Sequence, residues 1–198
     1  MMNLSKLFDM QRVLDERIIK DKGLEGKDLL PGKILALQVE LGELANEWRG
    51  FKFWSNNQKP CITGHKGRCE RCEGTGYIST QYDLCDAGCF KGLALFNPLL
   101  EEYVDCLHFL LSIGLELEVN QHLNINPYDE KDIITQFNKV FKLVTELQSD
   151  DFYKAAQWQL LKRYFFGLGE MLGFTFEQIE QAYLDKNAVN HQRQEAGY

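Results

Sequence analysis

Apolar residues recur at steps of three and four along most of this chain. Leu7, Met10, Leu14 and Ile18 keep that spacing between about Leu4 and Lys22, ahead of Gly23, and predict a first helix. A second is predicted from Pro31, a residue suited to the first helical position. Ile34, Leu35, Leu37, Val39, Leu41, Leu44, Ala45 and Trp48 supply its broad apolar face. A third opens at NPLLEEYVDCLHFLLSIGLEL, with Asn97 as cap and Pro98 in the first turn. Beyond Pro127, the series Ile133, Phe137, Val140, Phe141, Val144, Leu147 predicts a fourth helix, with Asp129 as its expected cap. A fifth spans roughly Asp151 to Leu172, before Gly173, and a sixth begins at TFEQ, where Thr175 and Gln178 have capping-box spacing. The predicted fold class is all-α, a bundle of about six helices.

Positions 56–96 break the pattern. They show no helical periodicity and hold six of the sixteen glycines and five of the six cysteines. The domain is therefore read as residues 1–198 interrupted by a Cys-rich insertion at 56–96. Cysteines clustered in this way in a reducing compartment point to metal before disulfide. Cys69-x₂-Cys72-x₁₂-Cys85-x₃-Cys89 suits a four-thiolate zinc site with two short knuckles, and Cys61 and His65 are spare ligands able to replace one of the four. Four thiolates leave no open position for water, so this zinc is expected to be structural. Cys69 to Gly76 resembles one repeat of the zinc-binding region of DnaJ-type chaperones, but the second cysteine pair departs from it in spacing, so no chaperone function is carried over. Cys106, apart in an apolar run, reads as a small buried residue.

The second helix carries Glu40, Glu43 and Glu47 on one face, with Leu44, Glu47 and Phe51 at the places where a lysine or arginine would answer them. Each like-charge neighbour costs an isolated helix ~0.2–0.5 kcal/mol. In the third helix Glu101, Glu102 and Asp105 interrupt an apolar run, and Glu102 and Asp105 repeat the i,i+3 spacing of Glu40 and Glu43. Carboxylates in so apolar a helix face a bundle interior, where they either take up protons or gather round a cation. Glu40, Glu43, Glu102 and Asp105 suit Mg²⁺ or Mn²⁺, hard ions that commonly bridge carboxylates to phosphate oxygens. Phosphoanhydride hydrolysis is the implied chemistry, with Glu40 or Glu43 accepting a proton from water. A di-iron bundle would want Glu-x-x-His motifs, which neither pair forms, and His108 reads as a core or helix-interface residue.

The formal charge of -7 argues against a nucleic-acid polymer as partner. The first residues lack the features of a secretory signal, and no apolar run approaches membrane-spanning length. The expected setting is soluble and cytoplasmic, away from membranes.

Glu40-x-x-Glu43 followed by Glu102-x-x-Asp105 resembles the paired acidic motifs of the all-α nucleotide pyrophosphatases. LALQVELGELANEWRGFKFWS (35–55), LLEEYVDCLHFLLSIGLEL (99–117) and AYLDKNAVNHQRQEAGY (182–198), with DMQRVLDERI (9–18), resemble one branch of them, the dimeric dUTPases. The two motifs stand 58 residues apart, wider than usual for that family. Without positions 56–96 the separation is 17, which puts the insertion in the loop between the two metal-binding helices.

The resemblance implies Mg²⁺-dependent hydrolysis of dUTP to dUMP and pyrophosphate by a homodimer. It implies that Lys186 and Arg193 meet phosphate oxygens, that Asn187 and Asn190 contact sugar or phosphates, and that Gln11 and Trp54 surround the uracil. Residues 186, 190 and 193 share one helical face, and a guanidinium can grip a phosphate bidentately, although a basic helix end answering the macrodipole would look the same. Read without the resemblance, Gln11 is a surface residue and Trp54 a core anchor. Two other readings stay open: a related nucleoside triphosphate pyrophosphatase with another base preference, and a zinc-knuckle protein-interaction module on a helical scaffold, the insertion binding another protein.

Overall fold

The computed structural model describes residues 4–78, 84, 85, 87, 89–91, 93–119, 125–149 and 153–197. Six helices and one two-stranded sheet occur among them: α1 (Leu4–Asp21), α2 (Leu30–Trp48), β1 (Gly64–Arg68), β2 (Leu93–Phe96), α3 (Pro98–Glu116), α4 (Ile133–Glu146), α5 (Lys154–Met171) and α6 (Phe176–Glu195). The all-α expectation holds, with the sheet confined to the Cys-rich segment. None of the helices described is long and apolar enough to cross a membrane.

The ends of the helices follow from local chemistry. Asn97 Oδ1 accepts the Leu100 amide at 3.2 Å, as a cap should, and Pro98 opens α3. Thr175 and Gln178 make both halves of a capping box at the start of α6. The cap of α4 is Asp132, not Asp129. Asp132 takes the Thr135 amide at 2.8 Å and its hydroxyl at 2.9 Å. Tyr128 is held instead against α5, its amide donating to the Arg163 carbonyl at 3.0 Å, so the chain turns helical only after Asp132. The expected start of α5 at Asp151 lies outside the described residues.

The chain forms two compact units, Met1–Asn46 with Glu101–Tyr198, and Glu47–Leu100. In the first, α1 packs on α6 and α4 on α5. The Tyr103 hydroxyl of α3 donates to the Phe165 carbonyl of α5 at 3.1 Å, and the two rings stack with centroids 4.4 Å apart. Trp158 Nε1 of α5 reaches the Leu110 carbonyl at 2.8 Å. These pairings give otherwise orphaned polar atoms of large buried rings a partner, as a dry core requires. Gly169 allows the approach of Tyr103, whose hydroxyl lies 2.5 Å from where a Cβ would stand. Cys106 is completely buried.

In the second unit β1 and β2 pair antiparallel, Gly64 with Phe96, His65 with Leu95 and Lys66 with Ala94. The register slips at Gly67, whose φ of +67° suits glycine at a bulge. The Cys61 carbonyl accepts the Leu99 amide at 3.0 Å, closing the neck of the segment.

Candidate active site

The acidic stripe of α2 and that of α3 meet. Oxygen atoms of Glu40, Glu102 and Asp105 all lie within 4.8 Å of one another, and all three side chains are partly buried. Glu43 stands outside this group, on an exposed turn of α2, yet its charge acts on both Glu40 and Glu102. Burial first, then the charges of Asp105 and Glu43, pushes Glu40 up from 4.5 to about 7. Burial, Asp105 and Glu43 do the same to Glu102, also to about 7. Burial raises Asp105 too, against the opposing effect of Lys186, whose ammonium lies 2.5 Å from Asp105 Oδ2 and 3.2 Å from Glu101 Oε1. Burial disfavours the Lys186 charge, but these carboxylates outweigh it and raise its pKa. Three crowded, half-dry carboxylates with raised pKa values form a set that a divalent cation relieves.

A cleft of about 220 Å³ adjoins them, lined by Glu40 and Asp105 at the acidic end and by Lys186, Asn190 and Arg193 of α6. Gln11, Asp15, His108 and Ser112 supply further polar groups, and Leu14, Ile18 and Phe109 the apolar wall. Gln11 is 4% exposed, so the surface reading of this residue is wrong. It sits on the face of α1 that meets α3 and α6, and the Tyr183 hydroxyl donates to its Oε1 at 2.8 Å. Asn187 is equally buried, and its Nδ2 has no partner. Trp54 belongs to the second unit, where it is 66% exposed and packs edge-on against Phe51 and Phe53, so it is not a core anchor.

Sequence reasoning missed Asp15 and Ser112, and gave Glu101 of the acidic run no part in the site. Asp15 lies four residues after Gln11, and Ser112 four after His108 and seven after Asp105, so each continues a stripe already marked by a candidate residue. Glu101 pairs with Lys186. Asp15 accepts from Gln11 Nε2 at 2.7 Å and from the Ser112 hydroxyl at 2.5 Å, with Lys33 at 3.4 Å. His108 is buried, as a core histidine would be, with its ring stacked on Tyr183. Burial, aided by the Lys186 charge, drives its pKa down to about 3. Its Nε2 has no partner, an omission that costs ~1–3 kcal/mol for a buried polar atom.

Cys69, Cys72, Cys85 and Cys89 form the second cluster, their sulfurs all within 4.8 Å of one another. Cys69 and Cys85 lie 3.9 Å apart and Cys72 and Cys89 3.7 Å. Those distances are far beyond a disulfide bond and match the edge of a tetrahedron with metal–sulfur bonds of ~2.3 Å. The Gly76 amide points at Cys72 Sγ from 3.3 Å, with Gly74 and Gly76 at φ of +82° wrapping the knuckle. Burial opposes charge on Cys72, but hydrogen bonds from Gly76, Cys89 and Cys69 outweigh it and bring the thiol down to about 6. The donor set and its geometry fit a structural metal. Cys61 and His65 are not part of this cluster.

No curated protein matches the chain. The sequence model of the dUTPase family matches residues 3–66 and 94–198, passing over 67–93, the stretch that contains all four clustered cysteines. The matched residues include both acidic helices and the whole of α6, and the chain therefore belongs to the all-α dUTPase family.

Proposed function

We propose that this protein hydrolyses dUTP to dUMP and pyrophosphate with Mg²⁺, or Mn²⁺ in its place, and that the Cys-rich segment holds a structural Zn²⁺. The observation that carries the reading is the convergence of Glu40, Glu102 and Asp105 beside a cleft that Lys186, Asn190 and Arg193 also line. Family membership supports a nucleotide pyrophosphatase. The carboxylates would hold the divalent ion, which when bound neutralises phosphate charge and lowers the pKa of a coordinated water. Lys186 and Arg193 bind the phosphate oxygens, Arg193 with the planar fork that suits them. Asn187, next to Lys186, and Asn190, one turn from both Lys186 and Arg193 on α6, contact sugar or phosphates. Of the two candidate bases, Glu40 is committed to the three-carboxylate group, which leaves Glu43 beside it to take up the proton of the attacking water. A role for Trp54 beside the uracil is supported by the family resemblance alone. The family resemblance further supports a homodimer.

A panel of nucleoside triphosphates with Mg²⁺, read by pyrophosphate release, tests the reading. Turnover of dUTP is expected well above that of dTTP and dCTP, and Glu43→Gln should remove it. Equal turnover of all three would transfer the protein to a pyrophosphatase with another base preference. Loss of function in Cys69→Ser with full function in Glu43→Gln would favour the zinc-knuckle interaction module instead.

A further inference from the structure

His108 uses one ring nitrogen in the fold and leaves the other unpaired inside the cleft wall. Gln11 Nε2 donates to the Asp15 carboxylate at 2.7 Å, so the amide oxygen of Gln11 faces the other way. That oxygen meets His108 Nδ1 at 2.8 Å and the Tyr183 hydroxyl at 2.8 Å. A carbonyl oxygen has no proton to give, so Nδ1 must carry the hydrogen. The buried ring stays neutral, with its pKa pushed down to about 3, so it carries a single N–H and Nε2 is left with a bare lone pair. Stacking on Tyr183, with centroids 4.2 Å apart, holds the ring in that attitude.

We propose that His108 Nε2 is a specificity-determining acceptor that receives a hydrogen-bond donor from the nucleoside, either the uracil N3–H or the sugar 3′-hydroxyl. This rests on the dUTP reading above and assigns the reader of the nucleoside within it. Among the described residues lining the cleft, Nε2 is the buried side-chain nitrogen or oxygen that lacks a partner, whereas Gln11, the residue expected to meet the uracil, has its oxygen engaged by two buried donors. His108 follows Asp105 by three residues, which sets it about 5 Å along α3 from the phosphate-gripping end. A nucleoside attached to the phosphates extends over that distance. Ile18 and Phe109 line the same cleft with apolar surface. Both donors are groups that a wrong substrate can lack: cytosine has an acceptor at N3, and a lone pair facing a lone pair leaves both unsatisfied.

The test compares wild type and His108→Asn on dUTP, on N3-methyl-dUTP and on 2′,3′-dideoxyuridine triphosphate, all with Mg²⁺. Asparagine keeps an N–H for Gln11 but has nothing at the position of Nε2. The expected result is a loss of about tenfold or more in kcat/KM for dUTP in the variant. One analogue should lose as much on wild type and lose nothing further on the variant, and that analogue identifies the donor. If both analogues suffer in the variant the same factor as dUTP does, the proposal is overturned. Should His108→Asn fail to fold, ¹⁵N-histidine spectra of the wild type decide. The bare Nε2 resonance must shift when a non-hydrolysable α,β-imido analogue of dUTP binds, and a resonance that stays in place overturns the proposal. No dUTP turnover by the wild type would sink the proposed function itself and this inference with it.

Discussion

Replacing Glu102 by glutamine should stabilise the metal-free protein while ending its activity. Glu40 and Glu102 are both pushed up from 4.5 to about 7, chiefly by burial and then by neighbouring carboxylates. A shift of that size corresponds to roughly 3 kcal/mol per group at ~1.4 kcal/mol per unit. Both side chains are partly open to solvent, whose screening brings the figure down to about 1–2 kcal/mol. A carboxylate with a raised native pKa holds more protons in the folded chain than in the unfolded one between 4.5 and about 7. Its contribution therefore favours folding at low pH and is lost as pH rises through 7. Urea unfolding in Mg²⁺-free buffer, followed by circular dichroism, should find Glu102→Gln more stable than wild type by ~1–2 kcal/mol near pH 8. The gap should close toward pH 4.5, and Mg²⁺ should restore the wild type at pH 8 far more than the variant. Equal midpoints at pH 8, or a gap indifferent to pH, would refute the account of the site as a strained cluster relieved by a cation.

Two further outcomes check other parts of the molecule. Purified protein should contain about one zinc per chain by metal analysis. Cys72→Ser should lose it and render positions 64–96 sensitive to protease while the helical signal persists; a zinc content near zero in the wild type would refute the four-thiolate assignment. A Cβ at Gly167 would stand 2.1 Å from the Tyr128 carbonyl oxygen, so Gly167→Ala should cost ~1–3 kcal/mol, seen as a lower Tm. An unchanged Tm would show that the 125–131 segment does not press on α5 as described.

Much of this protein is written in short-range pattern. The three-and-four spacing of apolar residues, Asn97 and Pro98 at the head of α3, and the Thr175–Gln178 capping box each act within a turn or two, so they read directly from the chain. The i,i+3 acidic pairs and the spacing of Cys69, Cys72, Cys85 and Cys89 are local in the same sense. What required tertiary structure was the choice among chemically equal neighbours. Glu40 joins the three-carboxylate group while Glu43 remains exposed, and Glu101 turns to Lys186, because the rotation of each helix about its axis is set by how it packs. Asp132 rather than Asp129 caps α4, since contacts with α5 hold the preceding segment out of the helix. Gln11 and His108 show the limit most sharply. Their spacing within α1 and α3 says nothing of the other helix, and only the approach of α1, α3 and α6 buries the amide, assigns the imidazole proton to Nδ1 and leaves Nε2 bare. Helices form from neighbours in sequence, but a protonation pattern is decided by neighbours in space.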